Sequence, residues 1–86
     1  MPRYRLHLRN EHIDSPDQEG VDLPDLHAAR AMAVAGIRDV LAHEVQKGAI
    51  DLRGHVDITD DSGGVLETIQ FRNAALVIGD SRPQSD

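Results

Sequence analysis

Residues 24–48 have the sequence PDLHAARAMAVAGIRDVLAHEVQKG. The apolar residues recur every three or four positions, the spacing of one helix face: Leu26, Ala29, Ala33, Ile37, Val40, Leu41 and Val45. Either Pro24 is the first helical residue or Asp25 caps the helix, and the sequence leaves both open. Gly48 is typical of a helix end. The segment therefore predicts one long helix.

This predicted helix is apolar beyond its main face. Gly36 continues a stripe of small residues, Ala29 and Ala33, which would let the helix lie close against a sheet or a partner helix. Met32 and Val34 lie outside that stripe. Either the helix is buried broadly or these two side chains contact a partner. Met32 and Val34 are therefore candidate partner-binding residues.

The residues before the helix predict a half-buried strand. Residues 3–9 alternate between apolar and polar side chains, with Tyr4, Leu6 and Leu8 facing the core. The opposite side carries a set that we call the arginine stripe: Arg3, Arg5, His7 and Arg9. Residues 11–14, centred on Ile13, are a candidate for a brief return strand. A polar, turn-rich loop over residues 14–20 follows.

The residues after the helix predict a hairpin. Residues 55–59 alternate, with Val56 and Ile58 on one side, and DDSGG at residues 60–64 is typical of a hairpin turn. Residues 65–71 supply the returning strand, with Val65, Ile69 and Phe71 on one face. Residues 73–78 are a candidate for a short final element, and residues 79–86 for a frayed tail.

Together these elements predict a single α+β domain over residues 1–78, with residues 79–86 as a disordered tail. One long helix packed on a three- to four-stranded antiparallel sheet, in the order β-(β)-α-β-β, would bury all the apolar faces. The sheet face away from the helix would then carry the arginine stripe beside His55, Asp57 and Thr59.

Composition excludes several classes of function. The chain has 86 residues and no cysteine, which excludes disulfides, thiol chemistry and cysteine-ligated zinc. Tyr4 and Phe71 are too few aromatic residues for a base-stacking surface, and a net charge of −6 disfavours sequence-independent nucleic-acid binding. No apolar run has the length of a membrane span, and the N-terminus does not resemble a signal peptide. We therefore expect a cytoplasmic protein that does not bind a membrane.

Three segments resemble a bacterial family of short proteins, number 6894 among the domains of unknown function. They are PRYRLHL at residues 2–8, EGVDLPDL followed by AARA within residues 19–31, and DITDDSG at residues 57–63. The resemblance covers roughly residues 2–71, and its most specific part is Glu-Gly-x-x-Leu-Pro-Asp-Leu before an alanine-rich helix. It supports the predicted fold and implies no activity, cofactor or catalytic residue.

A second, weaker likeness is to the HicB-type antitoxin fold. There too an initial strand precedes an acidic Leu-Pro stretch and an alanine-rich helix. That fold binds a toxin, and many of its members carry an additional DNA-binding segment. Here the second and third strands would have to fit into residues 11–23, and no separate DNA-binding segment follows. The likeness therefore implies a type of partner only.

The candidate residues for metal or acid–base chemistry lack the expected spacings. No two of the five histidines are four residues apart on the helix. His7 and His55 could meet across neighbouring strands with Asp57 nearby, which leaves a small metal-dependent enzyme as a minor hypothesis. The Asp57-x-Thr59-x-Asp61 spacing opens like a calcium loop but lacks the glycine and glutamate that complete one. No serine has the context of a nucleophile, so we expect no enzymatic activity, cofactor or metal.

The arginine stripe remains the feature most suggestive of a function. It is either a solvated outer face, a surface for an acidic protein partner, or a phosphate-binding surface, the last disfavoured by the net charge. The leading hypothesis is a small non-enzymatic protein-interaction module that forms a homodimer or binds another protein. Its candidate partner-binding residues are Arg3, Arg5, His7, Arg9, Met32 and Val34. The alternative is a regulatory, antitoxin-like protein that binds a toxin or nucleic acid.

Overall fold

A computed structural model describes residues 1–10 and 14–74 of the chain. The elements in chain order are β1 (Arg3–Arg9), β2 (Asp14–Ser15), β3 (Val21–Asp22), α1 (Leu26–Gln46), β4 (His55–Thr59), β5 (Val65–Gln70) and a 3₁₀ turn (Phe71–Asn73). Three predictions fall wholly or partly outside the described residues: the strand centred on Ile13, the final element beyond residue 74, and the disordered tail over residues 79–86.

The strands form one antiparallel sheet with the order β2-β1-β4-β5, and β3 pairs with the other end of β1. The α+β class with one long helix on an antiparallel sheet is thereby confirmed. Within residues 1–10 and 14–74, the sheet has five strands rather than three or four. The extra strand is β3, whose two residues are too few to show an alternating pattern.

The helix begins and ends where its capping chemistry requires. Asp25 is the N-cap, and its Oδ1 accepts a hydrogen bond from the Ala28 N–H at 2.9 Å, which resolves the choice left open with Pro24. At the other end, Lys47 is the C-cap and Gly48 has a φ of +95°. That left-handed conformation favours glycine and turns the chain away from the helix axis.

The core lies between α1 and one face of the sheet. The helix lies across β4 and also contacts β1 and β5. Its buried residues, Ala29, Ala33, Ile37 and Leu41, pack with Tyr4, Val56, Ile58, Ile69, Phe71 and Ala74. The predicted small-residue stripe is wrong at Gly36, which is exposed and would have nothing within 4 Å of an added Cβ. The buried residues are four apart and continue to Ile37 and Leu41 instead. With 3.6 residues per turn, each step of four residues turns the buried row by about 40° around the helix, away from Gly36.

The predicted face of the last strand is also corrected. A register shift between Ile58 and Thr59 places Val65 opposite Thr59, on the face away from the helix, where Val65 is 62% exposed. Phe71 is buried, but it belongs to the 3₁₀ turn. Its N–H donates to the Gly54 carbonyl at 2.9 Å, next to the end of the β4–β5 ladder. Within the described residues, no helix has the length and apolar character needed to cross a membrane.

Candidate functional site

The arginine stripe lies on the sheet face opposite the helix. Cross-strand pairing places Arg5 beside Thr59, His7 beside Asp57 and Arg9 beside His55. All of these residues except His55 line a shallow depression together with the β4–β5 turn. The open face is therefore a mixed-charge surface in which each basic residue of β1 has polar or acidic neighbours.

Each arginine of the stripe contacts acidic groups or carbonyls of its own chain. Arg3 donates to the Glu19 carbonyl and forms an ion pair with Asp22, Nε to Oδ1, at 3.3 Å. Arg5 donates to the Gln18 carbonyl and pairs with Asp61 at 3.2 Å. Arg9 lies 3.7 Å from the Asp14 carboxylate and 4.0 Å from that of Asp57. Arg3 and Arg5 therefore hold the 17–19 loop against β1.

His7 and Asp17 complete this attachment. The His7 Nδ1 accepts a hydrogen bond from the Asp17 N–H at 3.0 Å, and its Nε2 lies 3.2 Å from the Thr59 Oγ1. The Asp17 carboxylate accepts hydrogen bonds from the N–H groups of Leu6, at 3.2 Å, and Gly20, at 3.0 Å. We did not select Asp17 from sequence, although an aspartate three residues before a turn glycine is a known turn pattern.

The environment of Asp17 sets the direction of its pKa shift. Burial alone would raise the pKa of the Asp17 carboxyl. Hydrogen bonds from the backbone N–H groups of Gly20, Leu6 and Glu19 outweigh burial and hold the pKa below its ordinary value of 3.8. Asp17 is therefore an ionised anchor for the loop.

The two histidines that the sequence suggested as metal ligands are both neighbours of Asp57 but form no ligand set with it. His55 Nε2 lies 3.6 Å from an Asp57 carboxylate oxygen, and His7 is the cross-strand neighbour of Asp57. Both ring nitrogens of His7, however, already contact Asp17 and Thr59. Across residues 1–10 and 14–74, no three histidine, aspartate or glutamate side chains converge as metal ligands.

The β4–β5 turn shows why the calcium-loop spacing occurs. Asp60, rather than Asp57 or Asp61, organises this turn: its Oδ1 accepts the Ser62 hydroxyl at 2.8 Å and the Gly64 N–H at 2.8 Å. The hydrogen bond from the Ser62 hydroxyl contributes most, and together these bonds hold the pKa of the Asp60 carboxyl below its ordinary value of 3.8. The acidic residues thus belong to a hairpin turn.

Met32 and Val34 lie on different sides of α1. Residues two apart are separated by about 200° around a helix, so they cannot share one docking surface. Met32 is 43% exposed, whereas Val34 packs partly against the core. Val34 lies in a shallow groove that we call the helix flank, formed by His27, Arg30, Ala31, Val34 and Arg38.

The helix flank faces the β5 side of the sheet. Arg30 binds Glu67 of β5 through two nitrogens, with Nε 2.9 Å from both carboxylate oxygens and Nη2 2.6 Å from Oε1. The hydrogen bonds and charge of this pair lower the pKa of Glu67 and raise that of Arg30. Farther along the same flank, the Arg38 Nε donates to the Ala74 carbonyl at 2.7 Å. These two contacts fix the flank above β5.

The two edges of the sheet differ. Along the outer edge of β1, β3 pairs at Arg3 and Tyr4, Asp17 accepts from Leu6, and β2 pairs at Leu8 and Arg9. Along the outer edge of β5, by contrast, no strand of the described chain is paired. The sequence did not predict this contrast, because the order of strands in a sheet depends on contacts between distant residues.

The backbone groups exposed on β5 follow from the ladder. Phe71 donates to Gly54, so this pair is a hydrogen-bonded one, and such pairs alternate along an antiparallel ladder. Ile69 opposite Val56 and Glu67 opposite Ile58 therefore continue the bonding toward β4. The N–H and C=O groups of Thr68 and Gln70 point outward. At the start of the same strand, Val65 and Leu66 are 62% and 44% exposed.

Comparison with known proteins identifies a family. The model of the family described as Domain of unknown function (DUF6894) matches residues 3–72. No curated protein and no solved structure matches this chain, and nothing found supports the likeness to the HicB-type fold. The family model spans β1 to the 3₁₀ turn, and hence the arginine stripe, the helix flank and β5. The chain belongs to the DUF6894 family.

Proposed function

We propose that this protein is a small, non-enzymatic protein-interaction module that self-associates through the outer edge of β5. The observation that carries this proposal is the six-residue strand whose Thr68 and Gln70 backbone groups point away from β4. An unpaired strand edge offers a row of donors and acceptors to another strand, and strand addition is a common mode of protein recognition.

The side chains of β5 favour pairing. Natural sheet edges are usually protected by lysines, prolines, bulges or very short strands. The residues of β5, VLETIQ, include neither lysine nor proline. The single charge, on Glu67, is paired with Arg30 of the same chain. The bulge lies at the start of the strand, near Val65, and leaves residues 67–70 regularly paired with β4. Over residues 67–70, the described edge therefore lacks these protective features.

The alternative function, antitoxin-like binding of a toxin or nucleic acid, draws on the arginine stripe. A phosphate ligand there would have to displace the contacts of Arg3 and Arg5 with the 17–19 loop and of Arg9 with Asp14. It would also approach a chain with a net charge of −6. Both considerations favour the β5 edge over the stripe as the interaction surface.

A matched pair of substitutions at Thr68 tests this proposal. Thr68→Pro removes the outward N–H without removing a bond to β4, whereas Thr68→Ala keeps that N–H. Both variants lose the hydrogen bond from the Thr68 hydroxyl to Asp57, at 2.6 Å, so this loss cancels in the comparison. By light scattering, we expect the wild type and Thr68→Ala at twice the 9.4 kDa chain mass, and Thr68→Pro at the mass of one chain.

Circular dichroism provides the control, because both variants should keep the helix and sheet signals of the wild type. A wild-type chain that remains at 9.4 kDa at a concentration of about 1 mM would refute self-association, since even a weak dimer is populated there. A dimer that Thr68→Pro leaves intact would place the interface elsewhere.

A further inference from the structure

A β5 edge alone is a small interface. Six residues of strand extend roughly 20 Å, and a sheet layer is about 10 Å deep, so the edge covers on the order of 200 Å². Specific, stable complexes bury about 800 Å² per partner. A lasting dimer therefore needs a second layer next to the strand, and the surface adjacent to β5 must provide it.

The helix flank is in the required position. Arg30 ties it to Glu67, and Arg38 ties it to Ala74, just beyond the end of β5. The centre of the flank, Ala31 and Val34, is apolar. Because α1 lies over β4, two copies joined at β5 would place their helix axes about three strand spacings, or about 14 Å, apart. Side chains of two helices, each about 10 to 12 Å across, nearly span that distance.

Symmetry restricts how β5 can pair with itself. A two-fold axis that relates two antiparallel edge strands is perpendicular to the sheet. The helix-covered faces of the two copies therefore lie on the same side of the combined sheet. Residues directly opposite each other must then belong to the same face, and the axis must pass beside one residue. With the axis at Glu67, two carboxylates would face each other, which is destabilising. With the axis at Ile69, pairing would run into the 3₁₀ turn at Phe71.

An axis at Thr68 avoids both problems. Thr68 would then face its own copy, Glu67 would face Ile69, and Leu66 would face Gln70. The Thr68 N–H and C=O groups point outward, so the two copies can exchange both backbone hydrogen bonds at the axis. Opposed threonines are among the favourable cross-strand pairs.

We propose that the partner at the β5 edge is a second copy of this chain, paired antiparallel with Thr68 on the two-fold axis and with the helix flanks of the two copies facing each other. This inference rests on the proposed function, which already makes the partner a second copy, and adds to it the register and the second layer of the interface. Val34 lies within this interface, and Met32 lies outside it.

Single cysteines test the register, because the chain has no cysteine of its own. Opposed residues of a hydrogen-bonded pair have Cα atoms about 5.5 Å apart, within the range for a disulfide. Thr68→Cys should therefore form a covalent dimer under mild oxidation. Leu66→Cys is the matched control: in this register the two cysteines lie four residues, or about 13 Å, apart along the strands and cannot be bridged.

A second pair of variants tests the helix flank. Ala31→Arg adds bulk and positive charge to a flank that already contains Arg30 and Arg38, and should raise the dimer dissociation constant at least about tenfold. Met32 is exposed on a different side of α1 from the helix flank, so Met32→Arg should leave the dimer dissociation constant unchanged. Both positions are exposed, so neither substitution disturbs the core.

The outcomes separate the two proposals. Cross-linking by Leu66→Cys in place of Thr68→Cys would overturn the register. Equal effects of the two arginine substitutions on the dimer dissociation constant would overturn the second layer. In either case, a dimer sensitive to Thr68→Pro would still support the proposed function. A wild-type chain that is monomeric by light scattering would remove both.

Discussion

Asp17 is the residue on which the loop between β2 and β3 depends most. Its carboxylate binds the N–H groups of Leu6 and Gly20, and its own N–H binds His7. The Leu6 contact lies in the gap between β3 and β2 along β1, where no strand of the described residues pairs. One side chain thus both shapes a turn and covers a backbone donor at the sheet edge.

Replacing Asp17 should destabilise the fold in a pH-dependent way. Asp17→Ala leaves two backbone N–H groups without this acceptor, and we expect a loss of about 1 to 2 kcal/mol in the free energy of unfolding, measured by urea denaturation at pH 7. Because folding depresses the Asp17 pKa, this contribution is complete above its ordinary value of 3.8 and disappears as the pH falls through the lower folded-state pKa. The wild type and variant should then converge in stability.

Asp14→Ala is the control for this prediction. Asp14 is 73% exposed and lies 3.7 Å from Arg9, so its loss should cost less than about 0.5 kcal/mol. Equal destabilisation by the two substitutions, or a difference between Asp17→Ala and wild type that persists at the lowest pH, would contradict the assigned role of Asp17.

At the scale of elements, substitution of alanine for glycine should have opposite effects on the free energy of unfolding at two positions, Gly36 and Gly54. Gly36 is exposed within α1 with nothing near an added Cβ, so Gly36→Ala should raise the free energy of unfolding by about 1 kcal/mol through helix propensity. At Gly54, an added Cβ would lie 2.7 Å from the Asn10 Cβ and 2.8 Å from the Arg9 carbonyl. Gly54→Ala should therefore cost about 2 kcal/mol or more.

Thermal or urea unfolding of the two alanine variants checks this pair, with each serving as the control for the other. Gly54 lies where β1, β4 and the ring of Phe71 meet. A Cβ added at Gly54 would lie 2.8 Å from that ring. A Gly54→Ala protein as stable as the wild type would show that these elements are not packed as described. A destabilised Gly36→Ala protein would show that the exposed side of α1 is buried by a contact that we have not assigned.

How far the sequence predicts each element depends on how local its determinants are. The helix follows from the spacing of Leu26 to Val45, and the hairpin from the turn at residues 60–64, because both patterns lie within one segment. The face of Val65 was predicted wrongly because the bulge opposite Thr59 shifts the strand by one residue. The partners of Arg3 and Arg5 were not predicted at all, since they depend on where the 17–19 loop folds back.

At the scale of the whole molecule, the described part of the sheet has one covered edge and one open edge. Short strands and Asp17 cover the edge of β1, whereas the described chain leaves β5 unpaired beside the helix flank. The sequence showed the residues of both edges but not the strand order that separates them. Val34 is individually unremarkable, and only the fold places the helix flank that contains it beside β5, through the Arg30–Glu67 pair.

Amide hydrogen exchange at Thr68, followed by NMR at high and low protein concentration, tests the central claim most directly. The Thr68 N–H points outward from the monomer, so its protection at high concentration and loss of protection on dilution would report the β5–β5 contact itself. The Ile69 N–H, which is directed toward β4, is the control and should be protected at both concentrations. Rapid exchange of Thr68 at high concentration, with Ile69 still protected, would contradict self-association through β5.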